Sequence, residues 1–377
     1  MVKLIVILCC GACVLSFLGT WIALRLSIRF GATDSAPIDG QIKHDARPIP
    51  NTGGVGLVLA LWLPILTGLL GVTFLDPGSF TGTLEPLQSV WADLQDRVSL
   101  GWGLLGCIVG LHVLGIIDDR RPMGATSKLV IMLVPALIFA VFFDTRLLTM
   151  LDGYAGGSWL SIALTVIWIV VITNAMNFID NMDGLSAGIA AIAGGLFLVA
   201  AILNALWFIG VVLALLVGGC LGFLVFNFPP AKIFMGDGGS LVIGFVLAIT
   251  TVRTTYIPVD GSGPDSGAWY GLLMPFAVLA VPLYDFVTVT LIRIYQGKSP
   301  FVGDLQHFSH RLRDRGLGNR GTILVIYALT ACSGIAGILL TRASAWEAGM
   351  LGAQVMMILG ALALFEYRSP PKKNGKS

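Results

Sequence analysis

Eleven long apolar runs dominate this chain and leave few folds open to it. They fall at 3–24, 53–74, 99–117, 128–143, 159–173, 185–203, 206–227, 239–257, 269–294, 321–341 and 348–365. About 20 apolar residues in a helix cross the hydrocarbon core of a bilayer, and fewer suffice where protein holds the ends. Hydrophobic residues make up 56% of the 377 and charged residues 12%, whereas a soluble domain carries roughly 25% charge. The expected fold is all-α: a polytopic integral membrane helical bundle with about 11 transmembrane helices. One transmembrane domain, 1–367, precedes a short basic cytoplasmic tail, 368–377.

Charge sets the expected orientation. The segments 25–52, 118–128, 174–184, 228–238, 293–320 and the tail carry 18 of the 23 Lys and Arg. Basic loops stay on the cytoplasmic side. The N-terminus is then outside and the C-terminus inside, in an inner (cytoplasmic) membrane. All six cysteines lie inside apolar runs and lack metal-ligand spacing or a disulfide framework. No nucleic-acid partner is expected, and a homodimer stands as an open alternative for the assembly.

Polar residues crowd one end of the runs. Asn174-Ala-Met-Asn177-Phe-Ile-Asp180-Asn181-Met-Asp183-Gly184 joins two spans with two acids, three amides and no base. A carboxylate so close to hydrocarbon needs a metal, a cation or water. If helical periodicity persists, Asn174, Asn177 and Asn181 share a face, and a break at Gly184 re-aims Asp183. Asp118-Asp119-Arg120-Arg121 ends the third run. Adjacent carboxylates repel, which calls for Mg²⁺ or for the two arginines; a plain charged helix terminus is the ordinary alternative.

Asn227-Phe-Pro-Pro-Ala-Lys-Ile-Phe234-Met-Gly236-Asp237-Gly238-Gly239-Ser240 sets an acid between glycines at a helix start. A ligand can approach such a backbone closely, although a capping acid has the same look. Asp304 to Arg320 holds His307, His310, Arg311 and three further arginines, and arginine forks match phosphoryl oxygens. Lys43-His44-Asp45-Ala-Arg47-Pro48 is a basic stretch before the second run. Together these segments suggest phosphoryl transfer with a lipid substrate, where the protein positions groups and neutralises charge. A transporter or flippase needs polar groups reaching both faces, and the outer half looks bare. Asp285 is the exception, either a functional buried acid or a partner for Arg293.

These motifs, in this order from Lys43 to Arg320, resemble the polyprenyl-phosphate N-acetylhexosamine-1-phosphate transferase family (WecA/TagO-like, within the MraY superfamily). The resemblance implies transfer of a sugar-1-phosphate, GlcNAc-1-phosphate by family precedent, from a UDP-sugar to a polyprenyl phosphate such as undecaprenyl phosphate. UMP is released, Mg²⁺ (or Mn²⁺) is the cofactor, and the step opens a cell-envelope polysaccharide pathway. By motif match Asp118, Asp119, Asp237 and His307 are catalytic, with Asp237, Asp118 and Asp119 at the metal. Lys43, Arg47, Lys128, Asn174, Asn177, Asp180, Asp183, Phe234, His310 and Arg311 bind substrate, with Phe234 facing the uracil. The chain departs from the pattern in three places: Ser309 stands where a histidine is usual, Asn181 where a glycine is, and Asp45 where a histidine is common. Direct attack by the lipid phosphate is favoured over an aspartyl-phosphate. A phospho-MurNAc-pentapeptide transferase and a catalytically dead scaffold are the alternatives.

Overall fold

A computed structural model describes residues 1–31, 49–255, 268–297 and 307–367. The expectations for Lys43, Arg47 and their loop, for Asp304 and for the tail lie outside these residues. Helices α1 (Val2–Phe30), α2 (Gly54–Phe74), α3 (Val98–Arg120), α4 (Ala125–Phe142) and α5 (Trp159–Phe178) form the first half. Then come α6 (Leu185–Leu203), α7 (Trp207–Asn227), α8 (Asp237–Thr254), α9 (Met274–Val278) and α10 (Ala280–Tyr295). The short α11 (Phe308–Leu312) leads through a wide turn into α12 (Gly318–Leu340), and α13 (Ala345–Tyr367) closes the order.

Among the described residues ten helices are long and apolar enough to cross a membrane, and an eleventh span is a pair bent by 66° at Leu279. The expected count holds, but the ninth span is broken rather than continuous. Pro282 explains the position: it lacks an N–H for the carbonyl of Val278, and its ring crowds that carbonyl.

Several helices also outrun their apolar stretches. α3 continues through Asp118 and Asp119, and α5 continues through Asn174 and Asn177. A helix ends where its backbone bonds end, and here the ends are fixed by packed neighbours rather than by the edge of hydrocarbon.

The bundle packs around one central helix, α8. In α8, 89% of the window that qualifies it as a span is buried in protein, against 17% in α13. α8 is the central helix although it carries Ser240, Thr250, Thr251 and Thr254. Its hydroxyls bond their own helix, Thr250 to the carbonyl of Val246 at 2.8 Å and Thr254 to that of Thr250 at 2.9 Å. Trp168 of α5 adds a bond from Nε1 to Thr251 Oγ1 at 2.9 Å. Polar groups so satisfied suit a protein interior better than lipid.

The N-terminus of α8 is where three backbones touch. A Cβ on Gly115 of α3 would strike the backbone of Asp237 and Gly238, and one on Gly54 of α2 would lie 2.7 Å from Gly239 N. Only glycine permits this approach. It brings the last turn of α3 and the start of α2 against the first turn of α8.

Candidate active site

The close approach at Gly115 places the acids of α3 beside the acid of α8. Asp237 N donates to Asp119 Oδ1 at 3.1 Å, and Asn51 Nδ2 donates to the same oxygen at 3.1 Å. Gly236 precedes Asp237 with φ 69°, a left-handed φ that a side chain would oppose. Lys128, in the first turn of α4, reaches into the cluster. Its ammonium donates to Asp118 Oδ2 at 2.9 Å, to Asp237 Oδ2, and to Asn177 Oδ1 at 3.4 Å. Asn177 Nδ2 in turn donates to Asp237 Oδ1 at 2.9 Å and to Ser240 Oγ at 2.8 Å.

Asp118, Asp119, Lys128, Asn177 and Asp237 are thus joined in one hydrogen-bonded cluster. The cation between the acids is Lys128; Arg120 and Arg121, the other candidates, are exposed to solvent. Asp118 Oδ1 is also taken, by Met123 N at 2.7 Å.

The turn after α5 completes the acidic rim. Burial, then the nearby carboxylates of Asp237, Asp119 and Asp183, push the Asp180 carboxyl well above the usual range. Gly184, at φ 74°, ends this turn and starts α6. Asp183 Oδ2 accepts from Ala231 N at 2.9 Å, which ties the turn to the loop before α8. An open cleft of about 450 Å³ lies between Asp183, the Pro229–Pro230 corner and residues 317–321. Phe234 sits half-buried in the same loop, held by a bond from its N–H to the carbonyl of Pro50 at 2.8 Å.

The histidine segment docks on the other side of that turn. Ser309 Oγ donates to Asn181 Oδ1 at 2.6 Å. Two of the chain's departures from the motifs it resembles therefore meet each other. The His307 ring is edge-on to Phe178 at 6.2 Å between centroids, and the His310 ring lies 6.4 Å from His307. Asp285 accepts from both His307 Nδ1, at 2.7 Å, and Phe308 N, at 2.9 Å. Asp285 thus ties α10 to the histidine segment. Arg311 begins the last turn of α11, half-buried.

The helix stops at Phe178, so the periodicity that would add Asn181 to the face of Asn174 and Asn177 does not extend that far. Asn174 bonds the carbonyl of Val170 in its own helix at 2.8 Å. Sequence reasoning also passed over two amides that hold the site together. Asn51 braces Asp119, and Asn227 bridges two loops, accepting from Gly184 N and donating to the carbonyl of Ile233, both at 2.8 Å. A signal for Asn227 was present: a buried amide at the end of an apolar run, against a Pro-Pro corner. Tyr327 adds a bond from Oη to the Gly184 carbonyl at 2.5 Å.

Among the described residues no three Asp, Glu, His or Cys side chains converge closely enough to hold a metal ion as they stand. The donors gathered here are oxygens of Asp118, Asp119 and Asp237, with no thiolate. That donor chemistry fits a hard divalent cation such as Mg²⁺ or Mn²⁺ and not a soft one.

A family model described as glycosyl transferase family 4 matches residues 101–255. The chain is 33% identical over 334 residues to a probable undecaprenyl-phosphate N-acetylglucosaminyl 1-phosphate transferase of Bacillus subtilis (strain 168), covering 87% of this chain and 82% of the relative. It is 32% identical over 333 residues to a decaprenyl-phosphate N-acetylglucosaminephosphotransferase of Mycolicibacterium smegmatis, covering 84% and 77%. A phospho-N-acetylmuramoyl-pentapeptide-transferase of Desulforudis audaxviator is 33% identical over a shorter stretch of 252 residues, 62% of this chain and 70% of the relative.

Proposed function

The chain belongs to the polyprenyl-phosphate N-acetylglucosamine-1-phosphate transferases of glycosyl transferase family 4, and from that premise we propose that it moves GlcNAc-1-phosphate from UDP-GlcNAc to a polyprenyl phosphate and releases UMP. The observation that carries this reading is the meeting of Asp118 and Asp237 on the Lys128 ammonium, with Asp119 bonded to the Asp237 backbone, at one end of a membrane bundle. That end is also the lysine- and arginine-rich one, so the reaction faces the cytoplasm.

A phosphate monoester has its second pKa near 6 and is already largely dianionic at neutral pH. Its oxygen needs little help from a base to attack. An oxygen of the lipid phosphate forms a bond to the β-phosphorus of the donor. The bond from that phosphorus to the α,β-bridging oxygen breaks, and UMP departs with the bridging oxygen and the electron pair.

The obstacle is repulsion between two polyanions. Lys128 supplies positive charge at the acids, and Arg311 supplies it from the histidine segment. Asp237, with Asp118 and Asp119, would hold Mg²⁺ or Mn²⁺, which when bound neutralises diphosphate charge. Asp180 and Asp183 line the approach, and the cleft beside Asp183 offers room for part of the nucleotide. Phe234, half-buried in the same loop, offers a ring face to the uracil.

The test is a purified protein in detergent with undecaprenyl phosphate, Mg²⁺ and a panel of UDP-sugars. UMP release with UDP-GlcNAc is expected; release with none of the panel refutes the reading. Labelled UMP exchange into the donor without lipid acceptor separates the mechanisms, since direct attack gives none and an aspartyl-phosphate requires it.

A further inference from the structure

Asp285 stands apart from the acid cluster, bonded instead to the histidine segment. It lies wholly buried in α10, three residues after Pro282. A carboxylate at such a place costs several kcal/mol unless its oxygens are bonded. Both are: Oδ2 to His307 Nδ1 at 2.7 Å and Oδ1 to Phe308 N at 2.9 Å.

We propose that Asp285 is a positioning residue that fixes the tautomer of His307, leaving Nε2 as an acceptor turned toward the substrate. This rests on the transferase reading of the site. A carboxylate only accepts, so Nδ1 must carry the hydrogen, and the neutral ring then has its lone pair on Nε2. Nε2 bonds none of the described residues. In the neutral ring an acceptor nitrogen cannot donate to a phosphoryl oxygen. It fits a donor group of the substrate instead, a sugar hydroxyl or the acetamido N–H. His307 thus reads the sugar, while the arginine of this segment meets phosphate.

The plain alternative is that Asp285 only caps the first turn of α11 through Phe308 N. Asp285→Asn separates the two. The amide oxygen of asparagine keeps the cap, but its NH₂ then faces Nδ1. That forces the hydrogen onto Nε2 and turns an acceptor into a donor. A cap alone is indifferent to the change.

The chain has only 4 histidines, so ¹⁵N spectra of histidine-labelled protein are tractable, with His307→Gln assigning the signal. In the wild type His307 is expected as the Nδ1–H tautomer. In Asp285→Asn it is expected as Nε2–H, with kcat down roughly 10²-fold or more, KM for the UDP-sugar raised and an unaltered melting temperature. Asp285→Glu, which keeps a carboxylate, is expected to retain the wild-type tautomer and recover part of the rate.

A wild-type His307 found as Nε2–H or doubly protonated overturns the proposal. So does an Asp285→Asn protein whose tautomer or kcat is unchanged. Should that variant fail to fold, the wild-type spectrum and Asp285→Glu still decide the matter. If the wild type transfers no sugar phosphate at all, the function falls while the spectrum still reads Asp285.

Discussion

Two charged clusters sit at opposite ends of α4 and α5, about 27 Å apart by the rise of an 18-residue helix. One is the acid cluster around Lys128. The other joins Arg146 to Asp144 at 2.6 Å, to Asp152 at 2.5 Å and to Ser161 at 3.0 Å. The second is nearly balanced and open to solvent, with the Asp144 side chain 76% exposed. The Ser161 hydroxyl and Arg146 hold the Asp152 carboxyl below the usual range. Both acids there bond the one arginine. At the first cluster Asp118 and Asp237 share one lysine, Asp119 is held by amides of Asn51 and the Asp237 backbone, and burial with like charge lifts Asp180 well above the carboxylate range. The deficit of positive charge, not the presence of charge, separates a site from a clasp.

That contrast can be broken by mutation. Asp237→Asn should lower UMP release by about 10³-fold or more, because it removes the carboxylate on which Lys128 and Asn177 converge; turnover within tenfold of wild type would sever the acid cluster from the reaction. Lys128→Met should cost roughly 10²-fold in turnover, and a divalent cation should raise its melting temperature more than that of the wild type, since two acids lose their shared partner. Equal cation effects on the two proteins would contradict this.

Asp180→Asn tests the deficit by pH. A carboxyl raised in the folded state contributes most when protonated, and that contribution is lost as pH rises from the ordinary carboxylate range through the raised value. In metal-free buffer the asparagine variant should therefore melt higher than wild type at neutral pH. The gain should vanish below the ordinary carboxylate range, as thermal scans across pH can check. Arg146→Ala should change turnover by less than about twofold and lower the melting temperature only slightly, as exposed pairs contribute little. A large loss of turnover there would make the clasp part of the site.

Much of the fold was legible because hydrocarbon as a solvent writes long apolar runs into a chain. The acids of the site were legible because each abuts such a run. Partners across the fold were not. Lys128 meets Asp237 across 109 positions and Ser309 meets Asn181 across 128, and no local pattern encodes such a meeting. The break at Leu279 had a local cause in Pro282 but was hidden by an unbroken apolar composition. Asn181 was illegible for a similar reason: periodicity says which residues could share a face, and only the helix end at Phe178 says which do.

The floor beneath Asp237 is a seam of backbone on backbone, with glycines at 54, 115, 238 and 239 pressed together. A seam of this kind offers no side chain for selection to reshape. Descendants of this chain can retune sugar or lipid preference only from the surrounding turns, and an engineer seeking a new donor should leave those four glycines untouched and diversify the rim.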